Sequence, residues 1–238
     1  MNDNFPRSGY LQGAGVVTSP ETRNRVLRNT YWLLALSMIP TIAGAWVGLR
    51  MGFGVPAPGQ THASAAPLMI MFMGMLGLIF AIQRFRNSSI GVGLLLGFTF
   101  LEGMWLSILL GFVLAFSNGV ALISLAFGGT AITFAAMATI GTVSKRDFSS
   151  MGRFLFIGLI VIVLAGVANI FLHIPALMLT ISVLAIVIFS AFLMYDVQRV
   201  VNGGETNYVS ATLAIYLDLI NIFSNLLMLL GIFGGNRD

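Results

Sequence analysis

An all-α integral membrane protein with seven transmembrane helices is the fold class this 238-residue chain predicts. Only 8% of its residues are charged and 58% are hydrophobic, so a soluble core inside a charged shell cannot be assembled from it. Its mean hydropathy of +0.95 agrees. The apolar residues gather in seven runs, most of them near the ~20 residues that a spanning helix needs. Each run is continuously apolar, whereas a lipid-facing barrel strand alternates and is about 10 residues long.

The elements follow in chain order. Residues 1–28 form a polar segment with Pro6, Gly9, Gly13, Gly15 and Pro20 and no apolar periodicity, expected to be a cytoplasmic tail with little persistent structure. Residues 29–238 form one membrane domain. Within "SPETRNR", Ser19 is placed to cap a helix and Pro20 to occupy its first turn. The first run, 31–49, carries Tyr31, Trp32 and Trp46 near its ends, where interface aromatics belong. "GFGVPAPGQTHASAAP" then reads as a loop to the second run, 66–82. The third and fourth runs, 90–116 and 120–143, meet at "FSNGV", a tight uncharged hairpin. Runs 154–171, 176–200 and 211–233 complete the set. Gly74, Gly77, Gly128, Gly129, Gly158 and Gly166 are expected to let helices approach closely, since packing rather than hydrophobic segregation drives association in lipid.

The first thirty residues are polar and basic and the first apolar run is long enough to span, so it is expected to act as a signal anchor. There is no cysteine, hence neither a disulfide framework nor a thiolate metal site. The basic pI reflects topology rather than nucleic-acid binding, and the primary partner is the lipid bilayer. With seven spans, Arg7, Arg23, Arg25, Arg28, Arg84, Arg86, Lys145, Arg146, Arg153 and Arg199 fall on one side and only Arg50 and Arg237 on the other. That bias predicts a cytoplasmic N-terminus and an external C-terminus.

Three acids lie well inside apolar runs: Glu102, Asp196 and Asp218. Each costs about 2.5–3.5 kcal/mol at a helix centre even on insertion scales, so each should face the bundle interior, pair, or take a proton. Asp196 and Asp218 stand 11 residues before and after Asn207, the middle of the last turn, so an antiparallel hairpin can bring them to similar depth. Ala214, Asp218, Asn221 and Asn225 share one face of the seventh helix, a polar stripe that makes Asn221 and Asn225 candidates for an ion path. Two facing carboxylates in a low dielectric cannot both stay ionised cheaply, which points to a shared proton and a pH-sensitive latch between helices six and seven. The alternative is a static polar pair neutralised by Arg199, one turn from Asp196. Glu102, beside Thr99 and Gly103, is either a lining residue for a cation path or a protonated acid bonded to a neighbouring helix. Asn169 reads as a helix-helix hydrogen bond, and Arg84, Arg86, Lys145 and Arg146 as topology anchors. His62 and His173 fall in or beside outer loops and carry no assignment.

The blocks "GFTFLEGMWL" (97–106), "TVSKRDFSSMG" (142–152), "MYDVQRVV" (194–201) and "YVSATLAIYLDLINIFSNLLMLLG" (208–231) occur in an order that resembles the Bax inhibitor-1 (transmembrane Bax-inhibitor-motif) family. "GGETNY" before the last helix and the long polar N-terminal segment resemble its bacterial YccA-type members most. The resemblance implies six helices around a central seventh and a pH-controlled calcium leak in the bacterial inner membrane. It assigns the control to an aspartate pair matching Asp196 in "YDVQ" and Asp218 in "YLDLIN", and places Glu102 on the ion path. A transient Ca²⁺ near the two aspartates is implied, with no permanent metal and no cofactor. Some members give a basic residue on the second helix a closed-state role. Here the second span has no arginine before Arg84, so that role is left without a residue. For YccA-type members the resemblance also implies modulation of the membrane-anchored AAA protease FtsH.

Three functions therefore compete. The pH-gated cation leak that the resemblance implies leads, with Asp196 and Asp218 as latch and Glu102 lining the route; it is read as passive because no Walker loop or nucleotide domain supplies an energy source. Modulation of an FtsH-type protease is the alternative, motivated by a polar N-terminal segment that a partner could grip. An intramembrane aspartyl protease shares "YD" at Tyr195–Asp196, but it needs Gly-x-Gly-Asp where this chain has "YLDL". Its Pro-Ala-Leu also stands at 175–177, ahead of both aspartates. A serine enzyme of rhomboid type lacks a histidine within a span to act as base. The chain is accordingly read as a non-enzyme.

Overall fold

The computed structural model describes residues 20–54 and 65–236. Ser19, His62 and Arg237 lie outside the described residues. Seven helices run in order: α1 Pro20–Met51, α2 Ala65–Phe85, α3 Ser89–Leu114, α4 Gly119–Val143, α5 Met151–Leu172, α6 Pro175–Val201 and α7 Tyr208–Gly234. All seven are long and apolar enough to cross a membrane, and no strand occurs among the described residues.

The first helix reaches back to Pro20, so residues 20–28 of the polar segment are helical. Its opening turns are amphipathic rather than apolar. Val26 packs against Val200 of α6 and Ala211 of α7, while Glu21, Arg23 and Arg25 stay exposed. Trp32 and Trp46 keep exposed rings, and the Arg50 guanidinium sits 5.5 Å from the Trp46 ring centre. Tyr31 turns instead to an edge-on contact with Phe134 of α4.

The seventh helix is the axis of the bundle. It touches α1, α2, α3, α4 and α6, and its Tyr216, Ile215, Ile222 and Leu227 are fully enclosed. Among the described residues, the outlier is α5, which packs only on α6.

Close approach occurs where α1 crosses α3. A side chain at Gly44 would strike the Phe100 carbonyl, and one at Gly103 would strike that of Thr41. The glycines expected to serve this purpose mostly do not. Gly74, Gly77, Gly128 and Gly166 face open space; only Gly129 and Gly158 lie near another helix, against Leu226 and Ile188.

The turns are tied across the bundle. At the α3–α4 hairpin, Asn118 Nδ2 donates to the Gly234 carbonyl at 2.6 Å, holding the end of α7. At the opposite face, Asn207 Oδ1 caps α7 by accepting from the Val209 and Ser210 amides at 3.0 Å. The Asn207 amide nitrogen donates to the Arg86 carbonyl at 3.0 Å and to Asn87 Oδ1 at 2.8 Å, which pins the α2–α3 turn to the start of α7. Asn169 does not bridge helices as expected. Its Oδ1 accepts the Ile174 amide at 3.0 Å, closing the α5–α6 turn, where His173 adopts φ 52°.

Candidate functional site

Beside the α2–α3 and α6–α7 turns lies a cavity of about 270 Å³, lined by Gln83, Arg86, Asp196, Arg199, Glu205 and Ser210 among others. That is room for several waters. Asp196 borders it from the last turns of α6 with a side chain 13% exposed. Asp218 projects from the third turn of α7 and is 4% exposed. The two carboxyl groups stand within hydrogen-bonding reach of each other. Asp218 Oδ2 is buried and receives no hydrogen bond from any donor among the described residues. Two ionised carboxylates have only acceptors to offer, so their contact requires a proton or a cation between them.

Arg199 partly balances the pair. Its Nη1 donates to Asp196 Oδ1 at 3.5 Å and its Nη2 to Glu205 Oε2 at 3.2 Å. Its guanidinium also lies 5.8 Å from the centre of the Tyr195 ring. One cation therefore serves two acids, and neither contact is the bidentate fork that makes arginine pairing strong.

Residues that sequence reasoning did not single out complete the wall. Arg86, expected only to anchor topology, lines the cavity, with Nη1 3.5 Å from Ser210 Oγ. Ser210 Oγ in turn donates to Gln83 Oε1 at 3.0 Å. No local spacing marks this group, because Gln83 and Ser210 meet only through tertiary packing.

The other expected path residues lie elsewhere. Asn221 and Asn225 donate their amide hydrogens to their own helix, to the Leu217 carbonyl at 2.7 Å and the Asn221 carbonyl at 2.8 Å. This leaves each side-chain oxygen as the group that could face an ion. Glu102 is half-buried on α3, close to Tyr216 and away from the cavity that holds the aspartates. No cluster of three or more metal-ligating side chains occurs among the described residues. A cation at the pair would thus have two carboxylates at most from side chains there.

A seven-helix membrane bundle with a central helix, and an acid pair of which Asp196 lines a cavity, define the class. Comparison with known proteins resolves it further: the profile described as "Inhibitor of apoptosis-promoting Bax1" matches residues 23–237, and the chain belongs to this Bax inhibitor-1 family. Among its relatives is the Escherichia coli K12 protein named "Modulator of FtsH protease YccA", 35% identical, with 90% of this chain and 93% of that one covered. A Vibrio cholerae membrane protein without assigned function is 36% identical over 90% of this chain and 92% of its own. A Neisseria meningitidis protein, also unassigned, is 38% identical over 88% and 91%.

Proposed function

We propose that this protein is a pH-responsive cation leak of the bacterial inner membrane, with Ca²⁺ as cargo and Asp196 and Asp218 as its latch. The reading is carried by the contact of these two carboxyls under a cavity that opens beside the turns. With a proton shared between them, the pair holds α6 to α7. Once both are ionised, they repel across a low-dielectric gap and attract a cation, and the two helices part. Arg199 moderates that repulsion from one side. Arg86, which lines the same cavity, is a second basic group available to Asp196 when it leaves Asp218. Glu102, Asn221 and Asn225 form the remainder of the path, and the inner-membrane placement matches the name of an Escherichia coli relative, "Inner membrane protein YccA". The N-terminus and the α2–α3, α4–α5 and α6–α7 turns face the cytoplasm, where ten of the twelve basic residues collect.

Purified protein in liposomes should pass Ca²⁺ with a pH dependence that Asp196→Asn or Asp218→Asn alters. Unchanged flux in both variants removes the latch.

A second role is favoured by the printed name of the Escherichia coli relative, a modulator of FtsH protease. In this reading the N-terminal segment is offered to an FtsH-type protease as a partner. Deleting residues 1–18 should change either the turnover of the protein or the protease activity in cells, and no change in either would dismiss it.

A further inference from the structure

The stretch of α6 that carries Asp196 is gripped from a side that the acid pair does not use. Gln198 is 4% exposed and commits both ends of its amide to the α4–α5 connection. Its Oε1 accepts the Phe148 amide at 2.8 Å, and its Nε2 donates to the Arg146 carbonyl at 2.7 Å. Both partners are backbone atoms about fifty residues away in the chain.

Two glycines seat the same stretch. A side chain at Gly141, near the end of α4, would come within 2.7 Å of the Met194 carbonyl. One at Gly152, in the first turn of α5, would come within 2.8 Å of the Tyr195 hydroxyl. Met194 thus meets the end of α4, Tyr195 the start of α5 and Gln198 the connection between them, while Asp196 faces α7. A planar amide bonded at both ends fixes rotation as well as depth: turning or sliding α6 breaks both bonds and strands buried polar atoms.

This rests on the reading of Asp196 and Asp218 as the pH-sensing pair. We propose that Gln198 is the positioning residue of that pair, through which the α4–α5 connection sets the rotation and depth of α6 at which Asp196 meets Asp218. The influence is mechanical. The charged groups around Asp196 are Asp218 on α7, Arg199 on its own helix, Glu205 on the α6–α7 turn and Arg86 after α2. No charged residue of α1, α4 or α5 lines the cavity, and Lys145, Arg146 and Asp147 of the connection are exposed.

The test uses full-length protein in liposomes, with Ca²⁺ flux followed against pH for the wild type, Asp196→Asn, Gln198→Met and Gln198→Glu. Methionine keeps the volume and loses both bonds; ionised glutamate keeps the acceptor and loses the donor. Freeing α6 relaxes the contact with Asp218, so the flux midpoint should move toward acid by about half a pH unit or more in Gln198→Met; in Gln198→Glu the added anion near Asp196 opposes that shift, so its midpoint should lie on the alkaline side of the Gln198→Met value. Hydrogen exchange at the Phe148 amide should rise about tenfold or more in the methionine variant, which verifies that the clamp is open. If that amide is freed while the midpoint stays at the wild-type value, Gln198 is a structural clamp only and the inference is overturned. If Asp196→Asn itself leaves the profile unaltered, the pair is not the sensor, and the parent reading fails along with the positioning role. Should Gln198→Met not insert, Gln198→Asn, one methylene too short to hold both bonds, must displace the midpoint toward acid; a wild-type midpoint there overturns the inference equally.

Discussion

Thr41 of α1 and Tyr216 of α7 are joined by a hydrogen bond of 2.9 Å between Oγ1 and Oη, inside the fully enclosed part of the bundle. The Thr41 hydroxyl hydrogen is already committed to the Ser37 carbonyl, at 2.8 Å. Tyr216 must therefore be the donor and Thr41 the acceptor, which fixes the consequences of mutation. Tyr216→Phe removes a donor and leaves Thr41 still donating, at a cost of about 0.5–1.5 kcal/mol. Thr41→Val strands a buried phenolic hydroxyl and should cost more, about 1–3 kcal/mol. Unfolding of the two variants in detergent, compared with wild type, reads that order; equal losses would contradict the assigned direction of the bond.

The α1–α3 crossing gives a second contrast. Gly44→Ala and Gly103→Ala each push a methyl group into a backbone carbonyl of the facing helix, Phe100 or Thr41, and cannot be relieved by a side-chain rotation. Each should destabilise the protein by about 1–3 kcal/mol. Gly74→Ala and Gly77→Ala meet nothing within 4 Å and should be neutral or slightly stabilising. Thermal aggregation midpoints of the four variants would check this.

These residues also mark what the sequence could and could not disclose. Seven spans were legible because length and continuous apolarity report on lipid directly. The start of α1 at Pro20 was marked by "SPETRNR", but the helicity of residues 20–28 was not legible from apolarity, since they are held by one amphipathic stripe around Val26 rather than by an apolar run. The juxtaposition of Asp196 and Asp218 could be anticipated because a hairpin relates sequence distance from Asn207 to depth. Gln198 and Arg86 could not, because their partners are backbone atoms or a cavity wall assembled from distant segments. Glycine at Gly44 and glycine at Gly74 look alike in a string of letters; only the helix opposite distinguishes them.

Arg199 offers a test of charge rather than of packing. Its side chain is 38% exposed and its two ion pairs are single contacts of 3.5 and 3.2 Å, so Arg199→Gln should change stability by less than about 1 kcal/mol. Its effect on the proposed leak should be larger. The guanidinium favours an ionised Asp196, and removing it favours the protonated pair, so the flux midpoint should move toward higher pH. Glu205→Gln removes a competing anion and releases Arg199 to Asp196 alone, which should move the midpoint the other way. Flux profiles of the two variants that shift in the same direction would refute this account of the cavity electrostatics.

Asp147 bounds where the proposed pH response can originate. It stands in the α4–α5 connection, outside the spans, and its carboxylate accepts from both the amide and the hydroxyl of Ser149, which hold it below the usual carboxylate range. A group whose folded value is depressed keeps its stabilising bonds above its unfolded value, near 3.9, and loses them only as pH falls through the lowered one. The connection that Gln198 grips is therefore titration-silent through Asp147 above about pH 5. Asp147→Asn keeps an acceptor for the Ser149 amide and abolishes titration, so its Ca²⁺ flux profile between pH 5 and 8 should superimpose on wild type. A displaced midpoint in that variant would place the sensor in the exposed loop and away from the buried acids.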